Sequence, residues 1–229
     1  MKLFVFPLGE SVLHPGTSKP LNIFEPRYLR MIEDALTEKV PIAVAFVDRA
    51  VLPDVTLGQS VGMRLGAESF GSFEAGFDER VRRGLKLSFV RPVVGFGQPQ
   101  VLERRMDATL LVNVPGEGKA RLGQVLDDRR PYIVCEAEKI TESYEIHADQ
   151  ALQYLGLQRR LAKWMGEHIS DQKTRDHFVA ALSGPLEVIG AATAFLITDP
   201  DMQQLVLEAD DINEKINLVT GMLMSAQFS

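Results

Sequence analysis

The chain has 229 residues, enough for one large domain or for two small ones that each bury a core. Hydrophobic residues make up 45% and charged residues 24%, which excludes a disordered or fibrous chain. A formal net charge of −6, from 25 basic and 31 acidic residues, gives no global reason to expect a nucleic-acid partner.

The first residues, Met1-Lys2-Leu3-Phe4-Val5-Phe6-Pro7, are apolar but stop at a proline and lack a small-residue cleavage site, so they do not make a signal peptide. No apolar run reaches the ~18 residues that span a bilayer. A cytoplasmic chain without a membrane partner is the expectation. Up to about residue 140, apolar residues come in short runs punctuated by Pro and Gly, the pattern of a twisted or barrel-like sheet. Candidate strands cover residues 2–6, 41–47, 85–94, 109–114 and 131–140. One helix is expected over 26–39, where Tyr28, Met31, Ile32, Ala35 and Leu36 recur at spacings of three and four. Pro26 suits its first turn, where the missing N–H has no intrahelical partner. Glu25 places negative charge at the positive end of the helix dipole.

After about Tyr144 the punctuation becomes that of helices. Ser170 is a candidate cap for a helix running to Leu182, Gly184-Pro185 ends it and starts another, and Asp199-Pro200 opens a third. Asp211-Ile212-Asn213-Glu214 has the spacing of a capping box. The expected class is α+β, with a β-rich unit over 1–143 and a helical bundle over 144–229.

Three stretches near the N-terminus, Phe6-Pro7-Leu8, Val12-Leu13-His14-Pro15-Gly16 and the run from Pro20 through Phe24-Glu25-Pro26-Arg27 to Tyr28, resemble the amino-terminal substrate-binding domain of Lon proteases. Later segments are similar as well: Val93-Val94-Gly95-Phe96-Gly97, residues 108–122 followed by 131–137, and the closing stretch from Gln204 to Lys215. The resemblance implies a β-rich PUA-like subdomain followed by a helical bundle. It also implies a non-enzymatic module whose partners are unfolded or extended polypeptide segments and a separate protease. Full-length Lon adds an ATPase and a serine–lysine peptidase, and neither is seen in this sequence. Phe24 is expected to close a strand into the core, with Glu25 and Pro26 starting the helix. Phe24, Arg27 and Tyr28 are the candidate substrate-binding residues.

Other chemistry finds less support. Gly116-Glu117-Gly118-Lys119-Ala120 is a poor phosphate loop, because Asn113 stands where the first glycine should and Ala120 lacks a hydroxyl for magnesium; a hairpin turn after Pro115 is the better reading. Gly58-Gln59-Ser60-Val61-Gly62 matches a nucleophile elbow, the basis of a weaker serine-hydrolase alternative, but no persuasive helix follows Ser60. His168 and His177 lack metal-ligand spacing, and no metal or cofactor is implied. Cys135, the only cysteine, lies in an apolar strand-like run, where a thiol behaves as a small apolar residue.

Charge is segregated. Between Arg80 and Arg105 stand Arg80, Arg82, Arg83, Lys86, Arg91, Arg104 and Arg105 against the single acid Glu103. Arg80, Arg82, Arg83 and Arg91 are therefore candidate anion- or nucleic-acid-binding residues. No aromatic stacking motif accompanies them, so a solvated face pairing with the acidic helical half is the preferred reading and an RNA- or anion-binding module the alternative.

Overall fold

The computed structural model describes residues 1–47, 87, 89–106, 108–126 and 129–225. Five strands close a barrel in the order β1 (Lys2–Leu8), β3 (Ile42–Phe46), β4 (Val93–Gly97), β7 (Gly118–Val125), β8 (Ile133–Ile140). β1 and β3 run parallel and every other barrel pair is antiparallel. A separate antiparallel sheet has the order β2 (Ser18–Ile23), β6 (Leu110–Pro115), β5 (Gln100–Arg104).

Side-chain alternation divides the apolar residues between two cores. Leu3, Val5, Ala43, Ala45, Val94, Phe96, Ala120 and Cys135, drawn from all five barrel strands, meet in the barrel interior. Their neighbours Phe4, Phe6, Ile42, Val44 and Val134 point the other way, onto helix α1 (Pro26–Glu38) and the three-stranded sheet. α1 begins at Pro26 with Glu25 as its cap residue and ends at Lys39 in the left-handed conformation. It buries Met31, Ile32 and Ala35.

The helical part follows: a 3-10 turn at Ala148–Gln150, then α2 (Ala151–His168), α3 (Gln172–Ala181), α4 (Pro185–Leu196), α5 (Pro200–Glu208) and α6 (Ile212–Ser225). α2 has no side-chain cap at its N-terminus, and at its C-terminus the Ile169 amide donates to the Met165 carbonyl. The cap of α3 is Asp171 rather than Ser170, because its carboxylate accepts the Thr174 amide and hydroxyl, each at 2.7 Å. Asp199 and Asp211 cap α5 and α6 through the amides of Asp201, and of Asn213 and Glu214. Leu157, Ile189, Ala192, Val206, Ile216 and Val219 form the helical core.

Three further expectations need correction. Phe24 is 55% exposed rather than buried: Leu21 and Ile23 take the inward face of β2, so Asn22 and Phe24 fall on the outward one. The turn after Pro115 does not close a hairpin, since β6 lies in the three-stranded sheet and β7 in the barrel. It is a corner pinned by Gly116 N–H donating to the Thr17 carbonyl at 2.8 Å and Glu117 N–H to that of Phe96 at 2.9 Å. Of the strand expected at 85–94, residues 85, 86 and 88 lie outside the described residues; among the described ones the strand runs from Val93 on to Gly97, and Val90 forms an isolated bridge to Val47.

Candidate functional site

The register of the three-stranded sheet gathers the surface around Phe24. Ile23 pairs with Leu110, and Leu110 with Arg104, so Phe24 leaves β2 at the same end of the sheet at which Arg105 and Met106 leave β5. The Arg105 amide donates to the Thr109 carbonyl at 2.9 Å and the Ala108 amide to that of Arg105 at 3.1 Å, closing a tight turn with Ala108 at φ 64°. Leu102 is the extra residue where the β5–β6 register shifts. A bulge leaves its extra residue outside the ladder. Phe24, Leu102 and Met106 are thereby three large apolar side chains left exposed on one small sheet.

Arg27 and Tyr28 flank this end from the first turn of α1. Arg27 Nε donates to Glu25 Oε2 at 3.0 Å, and its guanidinium lies over the Tyr28 ring with 4.6 Å to the centroid. Tyr28 also meets the edge of Phe6, with ring centroids 4.5 Å apart. Both side chains are half-buried, so they form a rigid shoulder beside the exposed Phe24. Leu102 and Met106 escaped sequence reasoning, because single apolar residues beside Glu103, Arg104 and Arg105 carry no periodic signal.

Both edges of the sheet are interrupted. β2 contains Pro20, which has no amide hydrogen to offer. β5 pairs only with β6 among the described residues and carries the bulge.

Of the candidate basic residues, Arg80, Arg82 and Arg83 lie outside the described residues, as do Gly58–Gly62 with Ser60. Arg91 Nε and Nη2 donate to the two carboxylate oxygens of Glu208 at 2.8 and 2.5 Å. Burial works against the Glu208 charge, but Arg91 and Gln204 hold its carboxyl below the usual range. For this one residue the expected pairing of a strand cation with the helical half is what the structure shows. Lys119, from the apparent phosphate loop, points inward to the helical part and is described below. His168 stacks on Trp164 with centroids 4.7 Å apart, and among the described residues no three His, Cys, Asp or Glu side chains gather as a metal site. No helix among them is long and apolar enough to cross a membrane.

A family model for the ATP-dependent protease La (LON) substrate-binding domain matches residues 2–225. The chain belongs to this family. Its fold is shared by the crystal structure of a Lon N-terminal domain protein from Xanthomonas campestris, at 16% identity and TM-score 0.62 over 96% of this chain and 98% of that one. It is shared also by the N-terminal domain of Mycobacterium avium complex Lon protease, at 14% identity and TM-score 0.65 over 98% of each chain. No curated protein matches the sequence. The matched domain is one of substrate recognition and not a catalytic one, and it accounts for nearly all of these 229 residues.

Proposed function

We propose that this member of the Lon substrate-binding family holds extended polypeptide segments through their apolar side chains, without chemical change to them. The observation that carries the reading is the set of exposed apolar side chains on the three-stranded sheet, Phe24 and Met106 at one end of it and Leu102 at the β5 bulge. Exposed apolar side chains beside a strand edge that takes no further partner among the described residues are a familiar docking surface for extended chains. Arg27 and Tyr28 serve as the shoulder against which a bound segment rests. Pro20 and the β5 bulge prevent a long run of main-chain pairing, so binding is weak and tolerant of sequence, with apolar burial supplying most of the affinity. The reading places the protein in the cytoplasm, presenting segments to a separate protease. It also takes the chain as two units, 1–143 and 144–229, with the candidate surface wholly on the first.

The test is a titration of a permanently unfolded polypeptide and of single-stranded RNA at low and high salt. Apolar burial is not screened by salt, whereas RNA affinity falls with a slope of about −0.7 per neutralised phosphate. Polypeptide binding should persist at high salt and weaken about tenfold in Phe24→Ser/Leu102→Ser, the equivalent of about 1.4 kcal/mol of lost burial, with the melting temperature unchanged. Arg82→Glu/Arg83→Glu should leave it intact. Tight, salt-sensitive RNA binding that this charge reversal abolishes, with no polypeptide binding, would establish the alternative.

A further inference from the structure

Where the barrel meets the helices, the loop residue His14, Lys119 of β7, Glu142 of the β8–α2 connection and Lys215 of α6 are all withdrawn from solvent. Their hydrogen bonds do not balance. The Lys119 ammonium has three acceptors: the Leu207 carbonyl at 3.2 Å, the Ala209 carbonyl at 2.5 Å and the Glu142 carboxylate. Lys215 has two, both on Glu142, at 2.7 and 2.6 Å. An ammonium has three hydrogens to donate, and the third of Lys215 meets no acceptor among the described residues. His14, only 2% exposed, has its Nε2 buried with no partner there either.

The charges do not balance any better. One buried carboxylate answers two buried ammonium groups. The field at His14 comes from Lys215, Lys19 and Lys119, and together with burial it holds the imidazole neutral, its pKa pulled down to about 3. Burial works against the Lys215 charge, Glu142 supports it, and the half-buried Asp211 adds the smallest favourable contribution. A buried, uncompensated cation costs several kcal/mol.

We propose that a monovalent anion of chloride size binds in this seam, accepting hydrogen bonds from His14 Nε2–H and Lys215 Nζ. A water bonded to either nitrogen would leave the excess positive charge buried. An acceptor-only anion satisfies two donors and neutralises the cluster in one step. The site joins the His14 loop to α6, so its occupancy fastens the helical part to the barrel.

The experiment is thermal unfolding of the full chain with chloride or bromide exchanged for gluconate at constant ionic strength, together with crystals grown in bromide. Halide at about ten times its dissociation constant should raise Tm by about 3–6 °C, and bromide should give an anomalous peak within hydrogen-bonding distance of both nitrogens. Lys215→Met should lose the halide dependence; if that variant does not fold, the wild-type titration and crystals decide alone. A Tm indifferent to halide, or a water at the same place in bromide crystals, would overturn the proposal.

Discussion

At residue 24 a single step of alternation decides between core and surface. Asn22, Ile23 and Phe24 follow one another in sequence, and only the pairing of Leu21 with Val112 and Ile23 with Leu110 shows which of them faces inward. The aromatic ring suggests burial, yet the smaller Ile23 takes it. Phe24→Ala should therefore change the free energy of urea unfolding by less than about 0.5 kcal/mol, as exposed substitutions do, whereas Ile23→Ala should cost about 2–5 kcal/mol. Cys135 was legible, since an apolar run around a lone thiol means burial. Its pKa is pushed up to about 12 by desolvation, and alkylating reagents should leave it unmodified in the native protein at pH 8. His14 was not legible, because its neighbours are supplied by distant segments. In the folded chain it stays neutral down to about pH 3, against an ordinary value of 6.5. Between those values the unfolded chain binds a proton that the folded one refuses. His14 thus contributes stability that is whole above about pH 6.5 and is lost on acidification, by about 1.4 kcal/mol per pH unit. In halide-free buffer, His14→Gln should flatten the fall of the urea midpoint between pH 6 and 4; an unchanged slope would show that the carboxylates alone account for it.

Elements were legible in proportion to the local chemistry that bounds them. α1, α4 and α5 begin at prolines, at positions 26, 185 and 200, where fixed φ and a missing amide specify a helix start without help from tertiary structure. The apolar strands β1 and β3, and the first three residues of β8, announce themselves because both of their faces are covered. β5 does not, since four of its five residues are exposed and two of those are charged. β7 mixes Gly, Lys, Arg and Gln, and its apparent hairpin is a corner because the glycines around it admit close backbone approach. A Cβ on Gly116 would stand 2.1 Å from the His14 carbonyl oxygen, and one on Gly97 would stand 1.6 Å from that of Pro115. The His14 carbonyl is held by the Thr17 amide and hydroxyl, and the Pro115 carbonyl leads directly into Gly116, whose amide is bonded to Thr17. Gly97→Ala should consequently destabilise the protein by about 1–3 kcal/mol or more. Gly221→Ala, where no atom lies within 4 Å, should stabilise α6 by a few tenths of a kcal/mol up to about 1 kcal/mol. Equal midpoints for the two variants would mean that the corner yields easily.

For the molecule as a whole, the question is what fixes the helices on the barrel. An apolar seam of Val12, Phe46, Val93 and Leu207 supplies burial but little direction, and Arg91–Glu208 lies partly in solvent, where ion pairs contribute little. The Lys119–Glu142–Lys215 group is different, with side chains only 2%, 1% and 4% exposed. It ties β7 to α6 through a carboxylate on the connection between the two halves. Nothing in the sequence marks it, since residues 119, 142 and 215 have no spacing in common and each reads as an ordinary surface charge. Buried ion groups of this kind add little net stability when desolvation offsets their attraction, and in some systems they fix an orientation instead. Two variants separate those roles. Glu142→Gln leaves two buried ammonium groups facing one another and should cost about 3–5 kcal/mol in urea unfolding. Lys119→Met/Glu142→Leu/Lys215→Met removes all three charges at similar volume and should leave the stability unchanged or higher. If the group serves to orient, the triple variant should nonetheless lose the fixed seam: amide exchange in β7 and α6 should quicken while β1 and β3, inside the barrel, keep their protection. A triple variant that loses several kcal/mol would show instead that the ion group is a principal source of stability, and unchanged exchange in β7 and α6 would show that the apolar seam alone sets the orientation.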